Sequence, residues 1–271
     1  DISQWNVGNV TKMNSMFNGA SAFNQPLGQW NVAKVVTMEG MFADTSFFNQ
    51  PLGQWNMAQL YYNSDMFEDA DQMLEQHKPQ MPDPKLVRTD DDIYSAVNLW
   101  CSDREAAELK YGHISQWITA AVTDMKELFK EKTAFNDDIS QWNVSNVKDM
   151  NGMFYVAASF NQLIGEWNVS NVEDMRWMFT HAQSFNKPLE QWNVCNVIKM
   201  ESMFRGAHSF NQPLEQWNIA SATDMECMFS GAAAFNQPLG LWTETIHRQS
   251  VITSDMFQDS GMSSVNMPRL E

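Results

Sequence analysis

The chain has 271 residues, of which 44% are hydrophobic, which is enough for a substantial core and argues against wholesale disorder. It carries 17 Lys and Arg against 33 Asp and Glu, a formal charge of −16. This charge argues against binding to nucleic acid or to an anionic membrane surface, and it fits a surface that meets a basic partner.

The cysteines and the hydropathy pattern restrict the class of protein further. Cys101, Cys195 and Cys227 cannot all pair within the chain and match no zinc-binding spacing, so we expect small buried or half-buried residues. No run of about 18 apolar residues is present, so no membrane-spanning helix is predicted. No signal peptide is evident, and the chain opens in mid-repeat at Asp1, which predicts a processed or incomplete chain.

Tryptophan recurs every 25 residues in two groups. The positions are Trp5, Trp30 and Trp55, then Trp117, Trp142, Trp167, Trp192, Trp217 and Trp242. A Met-Phe or Leu-Phe pair follows each Trp by 11 residues, except that Met256-Phe257 follows Trp242 by 14, which implies three inserted residues. A fixed period of 20–50 residues predicts a stacked array of repeats.

Each repeat reads as a short strand followed by a short helix. The alternation around Trp30 and Val32 predicts a strand over 27–32. Apolar residues at spacings of three and four predict one or two helical turns over 35–42, and Phe48 is expected to fill the interior. The predicted fold is a repeat solenoid, leucine-rich-repeat-like, whose tryptophans point inward.

Asparagine occupies two fixed places in the repeat, one directly after Trp and one directly after Phe. Asn can bond bent backbone groups that no strand satisfies. We expect one of these columns to form a structural Asn ladder; a ligand-binding row is the alternative.

The two groups of repeats are separated by a segment of different character. Residues 1–75 are interpreted as the end of a first array, and the Pro-rich stretch 76–88 as a linker. Residues 89–112 predict a helical N-terminal cap, with a capping box at Ser102 and Glu105 and a stop at Gly112. Residues 113–271 are the second repeat array.

The repeat over residues 138–154, with its Asp-Ile-Ser-Gln-Trp-Asn-Val opening and Met-Phe close, resembles the BspA-like leucine-rich-repeat surface proteins. That resemblance implies a curved solenoid, adhesion or protein binding, and an extracellular or cell-surface location. It implies no catalytic residues. The chain has Asn where the family pattern has Asp after most Trp, which puts in doubt any cation site built on that column.

Motifs for catalysis are missing from the sequence: there is no phosphate-cradling loop, nucleophile elbow or His-Glu-x-x-His. We therefore expect no catalytic residue, cofactor or metal, and a non-catalytic scaffold for protein interaction or adhesion, or a peripheral subunit of a larger assembly. The runs at 90–92 and 137–138 could bind calcium weakly, although solvated turns and helix starts are the commoner reading. The alternative function is an enzyme or ligand-binding protein with a site in 76–112, gathering Asp, His and Cys.

Two aromatic residues break the repeat pattern. Trp177 and Tyr155 stand at places that small or polar residues hold in most other copies. Both places are expected to face solvent on the helical side of neighbouring coils. The pair is therefore the candidate protein contact; flat packing over the repeat surface is the alternative.

Overall fold

The computed structural model describes residues 1–270, and the chain divides into two compact units, Asp1–Val87 and a second that begins at Arg88. The strands are β1 (Val87–Thr89) and β2 (Ile118–Ala121), which form a two-stranded sheet. The helices are α1 (Ile93–Ser102), α2 (Arg104–Tyr111) and α3 (Thr243–Gln249). Short 3-10 turns lie at Glu75–His77, Pro84–Leu86, Ile114–Gln116 and Gly240–Trp242.

Within each unit, successive repeats are hydrogen-bonded in parallel register. Single bridges join equivalent residues: Lys12–Thr37, Thr37–Tyr62, Asp124–Asp149, Asp149–Asp174, Asp174–Lys199, Lys199–Asp224 and Asp224–Ile252. The partners are 25 residues apart at every step except the last, where α3 lies in the connection and accommodates the three inserted residues.

The core is made of stacked aromatic columns. Eight of the nine periodic tryptophans are buried, as predicted, and Trp5 is the exception with 55% of its surface exposed. The buried indoles also donate to the backbone, as when Trp192 Nε1 bonds the carbonyl of Ile164 at 2.9 Å. Phe rings stack from repeat to repeat, with centroids 5.4 Å apart for Phe129 and Phe154. This periodic burial supplies the apolar driving force that one repeat alone lacks.

The helix predicted over 35–42 is wrong, because this stretch is a series of turns. Gly40 adopts a left-handed conformation with φ 56°, which interrupts a right-handed helix. The N–H of Met41 bonds to Met38 within the repeat, whereas the N–H of Phe42 reaches the carbonyl of Met66 in the next repeat. Because alternate N–H groups bond across repeats, the i to i−4 pattern of an α-helix cannot form.

The strand predicted over 27–32 is also replaced by a turn. The N–H of Trp30 bonds to the carbonyl of Leu27, and the bridge to the neighbouring repeats falls later, at Thr37. The apolar alternation at 27–32 therefore reflects inward packing of side chains and not a strand.

The Asn residues that follow Phe form the expected ladder. In six cases the Oδ1 of one Asn accepts the N–H of the equivalent residue in the next repeat, at 2.8–3.1 Å, and the Oδ1 of Asn236 accepts from Ser263 at 2.9 Å. The Asn residues that follow Trp instead accept the N–H two residues ahead, which closes a local turn. The first column thus ties repeats together, and the second shapes each repeat.

Helices α1 and α2 pack together at the start of the second unit, and Trp100 and Tyr111 contact Trp117 of its first repeat. Trp100 on α1 donates Nε1–H to Asp137 at 2.9 Å. The predicted capping box at Ser102 and Glu105 is wrong: Asp103 is the N-cap of α2 and accepts the N–H of Ala106, because the Ser102 hydroxyl is turned back to α1. Gly112 ends α2 with φ 71°, as predicted.

Candidate functional site

The turns of each repeat contain two left-handed positions, four residues apart. Most repeats place Gly, Asp, Ser or another short or flexible residue there, as at Gly152 and Ser202. The second unit departs from this in two successive repeats, with Val156, Trp177 and His181 at φ 57°, 56° and 55°. A β-branched or bulky side chain rarely adopts this conformation, because its Cβ crowds the backbone.

Two of these residues, Trp177 and His181, line a groove of about 410 Å³ on the surface formed by the turns. We call it the Trp177 groove. It is lined by Glu127, Lys130, Glu131, Gly152, Tyr155, Trp177, Thr180, His181, Ser202 and Arg205. The lining comes from four consecutive repeats, so the groove crosses the repeats and does not follow one of them.

Trp177 is not one of the periodic tryptophans, and 36% of its surface is exposed, whereas eight of those nine are buried. The guanidinium carbon of Arg176 lies 5.6 Å from its ring centroid, and Arg176 in turn holds Asp174 with Nη2 at 2.7 Å and Nε at 3.0 Å. This pairing fixes the Arg176 side chain against the indole. Tyr155 lines the same groove, so the structure places the two predicted contact residues together, on a surface of turns and not of helices.

The end of the groove in the repeat before Tyr155 carries two carboxylates and one ammonium group. Lys130 Nζ lies 5.7 Å from the centroid of the Tyr155 ring and 3.0 Å from the Glu127 carboxylate. The hydrogen bond to Glu127 raises the pKa of Lys130 above its ordinary value. Glu131 is exposed and forms no salt bridge with a described residue.

The other end carries His181 and Arg205. Burial first, and then the charges of Arg205 and His208, lower the pKa of His181, which favours its neutral ring. A Cβ at Gly206, which has φ 64°, would collide with the His181 ring, so glycine is required where the two meet. Arg205 is exposed and makes no salt bridge within residues 1–270.

Sequence reasoning did not single out His181, Arg205, Val156 or Gly206. A signal was present, since His181 stands where the next two repeats have Gly206 and Gly231. Recognising its meaning requires knowing that this place is left-handed, which the sequence did not indicate.

A column of carboxylates lies at the bridge positions of the same repeats. Burial raises the pKa of Asp149, the N–H of Asn151 opposes that shift, and the Asp174 and Asp124 charges add to it. Burial also acts on Asp174, but the hydrogen bonds and charge of Arg176 outweigh it and lower its pKa. Burial thus opposes the charge of Asp149, whereas Arg176 stabilises the charge of Asp174.

In the segment 76–112, proposed as an alternative site, two of the aspartates form hydrogen bonds within the fold. Asp90 accepts the N–H groups of Thr123 and Asp124, and Asp92 accepts from Arg88. Cys195 and Cys227 are half-buried as expected, but Cys101 is exposed, so its predicted burial is wrong. Partial desolvation still raises the pKa of the Cys101 thiol, which disfavours the thiolate that a nucleophile needs. A groove beside this segment is lined by Cys101, Arg104 and Asp137 but by no histidine, and the enzyme alternative stays a prediction.

The acidic runs considered for calcium also have structural partners. Asp137 accepts from Trp100 and forms an ion pair with Arg104. Asp138 accepts the N–H of Ser140, and these hydrogen bonds lower its pKa. Across residues 1–270, no group of three or more His, Cys, Asp or Glu is arranged to hold a metal ion. Nor does any helix of that range have the length and apolarity needed to cross a bilayer.

The recurring hydrogen bonds and aromatic columns define the chain as a repeat protein. Residues 1–80, 101–196 and 163–268 match the family described as "Mycoplasma protein of unknown function, DUF285". These matches cover most of the chain, and the protein belongs to that family. Comparison with curated proteins and with solved structures finds no match.

Proposed function

We propose that this protein is a non-catalytic protein-interaction scaffold that binds a partner through the Trp177 groove. We further propose that its repeats form a leucine-rich-repeat-like solenoid of the BspA-like surface type, acting outside the cell or at its surface. The parallel register of the repeats and their shared aromatic core support the solenoid. Such arrays commonly present extended binding surfaces.

One observation carries the binding proposal: Trp177 is exposed and holds a left-handed backbone conformation. For a non-glycine residue this conformation costs about 1–2 kcal/mol. The fold does not require the indole, because the preceding and following repeats have Gly152 and Ser202 at the same place. Strain that the fold does not need is typical of binding sites.

The composition of the groove supports a protein partner. Trp, Tyr and Arg are the residues most enriched at the energetic centres of protein interfaces, and the groove contains Trp177, Tyr155 and Arg205. The formal charge of −16 disfavours nucleic acid and anionic membranes as partners.

The test compares two tagged variants of the full chain, expressed in the source organism and co-purified with their partners. Trp177→Gly restores the residue of the preceding repeat and relieves the strain. Leu163→Ser is the control, because Leu163 is 62% exposed but does not line the groove. We expect the amount of one partner recovered with Trp177→Gly to fall at least tenfold, while the melting temperature of this variant stays equal to or above that of the parent. Leu163→Ser should recover as much of that partner as the parent does.

Equal recovery of every partner by Trp177→Gly would contradict the proposal. A large fall in its melting temperature would show that Trp177 is part of the packing and not a contact residue.

A further inference from the structure

The Trp177 groove has a polarity that indicates the chemistry of its occupant. Its lining begins with Glu127, Lys130 and Glu131 in one repeat and ends with Arg205 three repeats later. Tyr155 and Trp177 lie between these ends, in the two middle repeats. The groove is therefore charged at both ends and aromatic in the middle.

The charges at the two ends are of opposite sign. At the first end Lys130 is paired with Glu127 at 3.0 Å, which leaves Glu131 with a carboxylate that forms no salt bridge among residues 1–270. At the second end Arg205 is an exposed guanidinium without a carboxylate partner in the same range.

The length of the groove sets the size of the occupant. Ring centroids of the central Phe column are 5.4, 5.6 and 5.4 Å apart over these repeats. Glu131 and Arg205 are three such steps apart, on the order of 16 Å, which about five residues of extended chain can span.

We infer that the groove binds an extended segment of a partner protein that presents a basic side chain to Glu131, an apolar side chain to Tyr155 and Trp177, and a carboxylate to Arg205. This inference rests on the proposed function and names the partner's chemistry. The opposite charges at the ends fix the direction of the segment, since reversal would place like charges together. Arg205 can receive a carboxylate in a two-pronged hydrogen bond.

The left-handed residues support the assignment independently of charge. Trp177 and His181 both line the groove and belong to one of its two middle repeats, where the aromatic part of the groove is formed. Gly206 in the next repeat leaves the space that the His181 ring occupies. The middle of the groove is thus lined by two residues, Trp177 and His181, whose left-handed backbone conformation costs free energy.

The experiment is a selection of random nine-residue peptides displayed on phage, performed on the immobilised full chain. Phage retained by Trp177→Gly are removed first. We expect the enriched peptides to carry a basic and an acidic residue about four to five positions apart, with an apolar residue between them. The selected peptides, made synthetically, should bind the double variant Glu131→Lys, Arg205→Glu at least tenfold more weakly, and peptides with the two charges exchanged should bind that variant better than the parent.

Leu163→Ser serves as the matched control and should bind the selected peptides like the parent. Enrichment of peptides without the charge pair, or binding that the double variant leaves unchanged, would overturn the inference while leaving the proposed function intact. Failure to enrich any peptide over Trp177→Gly would overturn it as well, as would retention of oligosaccharides and not of peptides on the groove. The proposed function is tested separately, by whether Trp177→Gly retains the native partner.

Discussion

The Asp90 carboxylate accepts the N–H of Thr123 at 2.8 Å, where the next four repeats have a backbone carbonyl from the preceding repeat. The equivalent bond in the next repeat runs from the N–H of Lys148 to the carbonyl of Thr123 at 2.9 Å. Asp90 therefore replaces a missing neighbour, and its other oxygen accepts the Thr123 hydroxyl at 2.6 Å. One side chain thus accepts the backbone N–H groups that the first repeat of the second unit would otherwise leave unbonded.

Asp90→Ala should destabilise the second unit by about 1 kcal/mol, the usual cost of losing a side chain that caps backbone N–H groups. Asp91→Ala is the matched control, because Asp91 is exposed and no hydrogen bond joins its side chain to a described residue. Denaturant unfolding followed by near-UV circular dichroism would measure the difference. Equal stability of the two variants would show that Asp90 is not a structural cap.

Trp192→Ala should cost about 3–5 kcal/mol, as for other large buried aromatic residues. Trp192 is 3% exposed, stacks on Trp217 at 6.3 Å and bonds the carbonyl of Ile164. Chemical denaturation of the full chain would measure this loss in the free energy of unfolding, with Trp5→Ala as the comparison because Trp5 is 55% exposed. A loss below about 1 kcal/mol for Trp192→Ala would show that this column is not core.

Asp149→Asn should raise the melting temperature at pH 7. The folded-state pKa of Asp149 is raised, first by burial and then by Asp174 and Asp124, so its ionised form destabilises the fold. The stability linked to its protonated form is fully present below the unfolded-state pKa of about 4 and is lost as the pH rises through the higher folded-state pKa. The advantage of Asp149→Asn should therefore be largest at neutral pH and should shrink near pH 3.

Thermal unfolding between pH 3 and pH 7 would measure this dependence. Asp224→Asn is the control in the same column, because its bridge partners are Lys199 and Ile252 and not carboxylates. An Asp149→Asn variant whose melting temperature stayed at or below that of the parent across this range would be inconsistent with the like-charge column.

The parts of the fold that the sequence predicted are those set by periodic burial. The 25-residue spacing gave the register of repeats, and the inward tryptophans and the Asn ladder after Phe are both confirmed. Helices over 93–111 and the stop at Gly112 could be predicted because their apolar faces and termination signal are local.

The conformation of the turns could not be predicted. Met38, Met41 and Phe42 have helical spacing, yet Gly40 between them is left-handed. In addition, the backbone N–H of Phe42 donates to a carbonyl of the next repeat and not to one within a helix. The left-handed places hold Ser, Asp, Glu and Cys as well as Gly, so they leave no glycine pattern to read. The groove was missed for a related reason, since Glu131 and Arg205 are brought into one groove only by the stacking of four repeats.

The most direct test is site-specific photo-cross-linking in the source organism, with a benzophenone amino acid placed at Tyr155 of the full chain. Tyr155 lines the groove beside Trp177, whereas Ile198, which is 39% exposed, lies on a different surface with Glu173 and Thr223. We expect the probe at position 155 to cross-link one partner protein in high yield, the probe at position 198 to give little of that product, and Trp177→Gly to abolish it. A partner captured equally from both positions, or capture at 198 and none at 155, would contradict the Trp177 groove as the binding site.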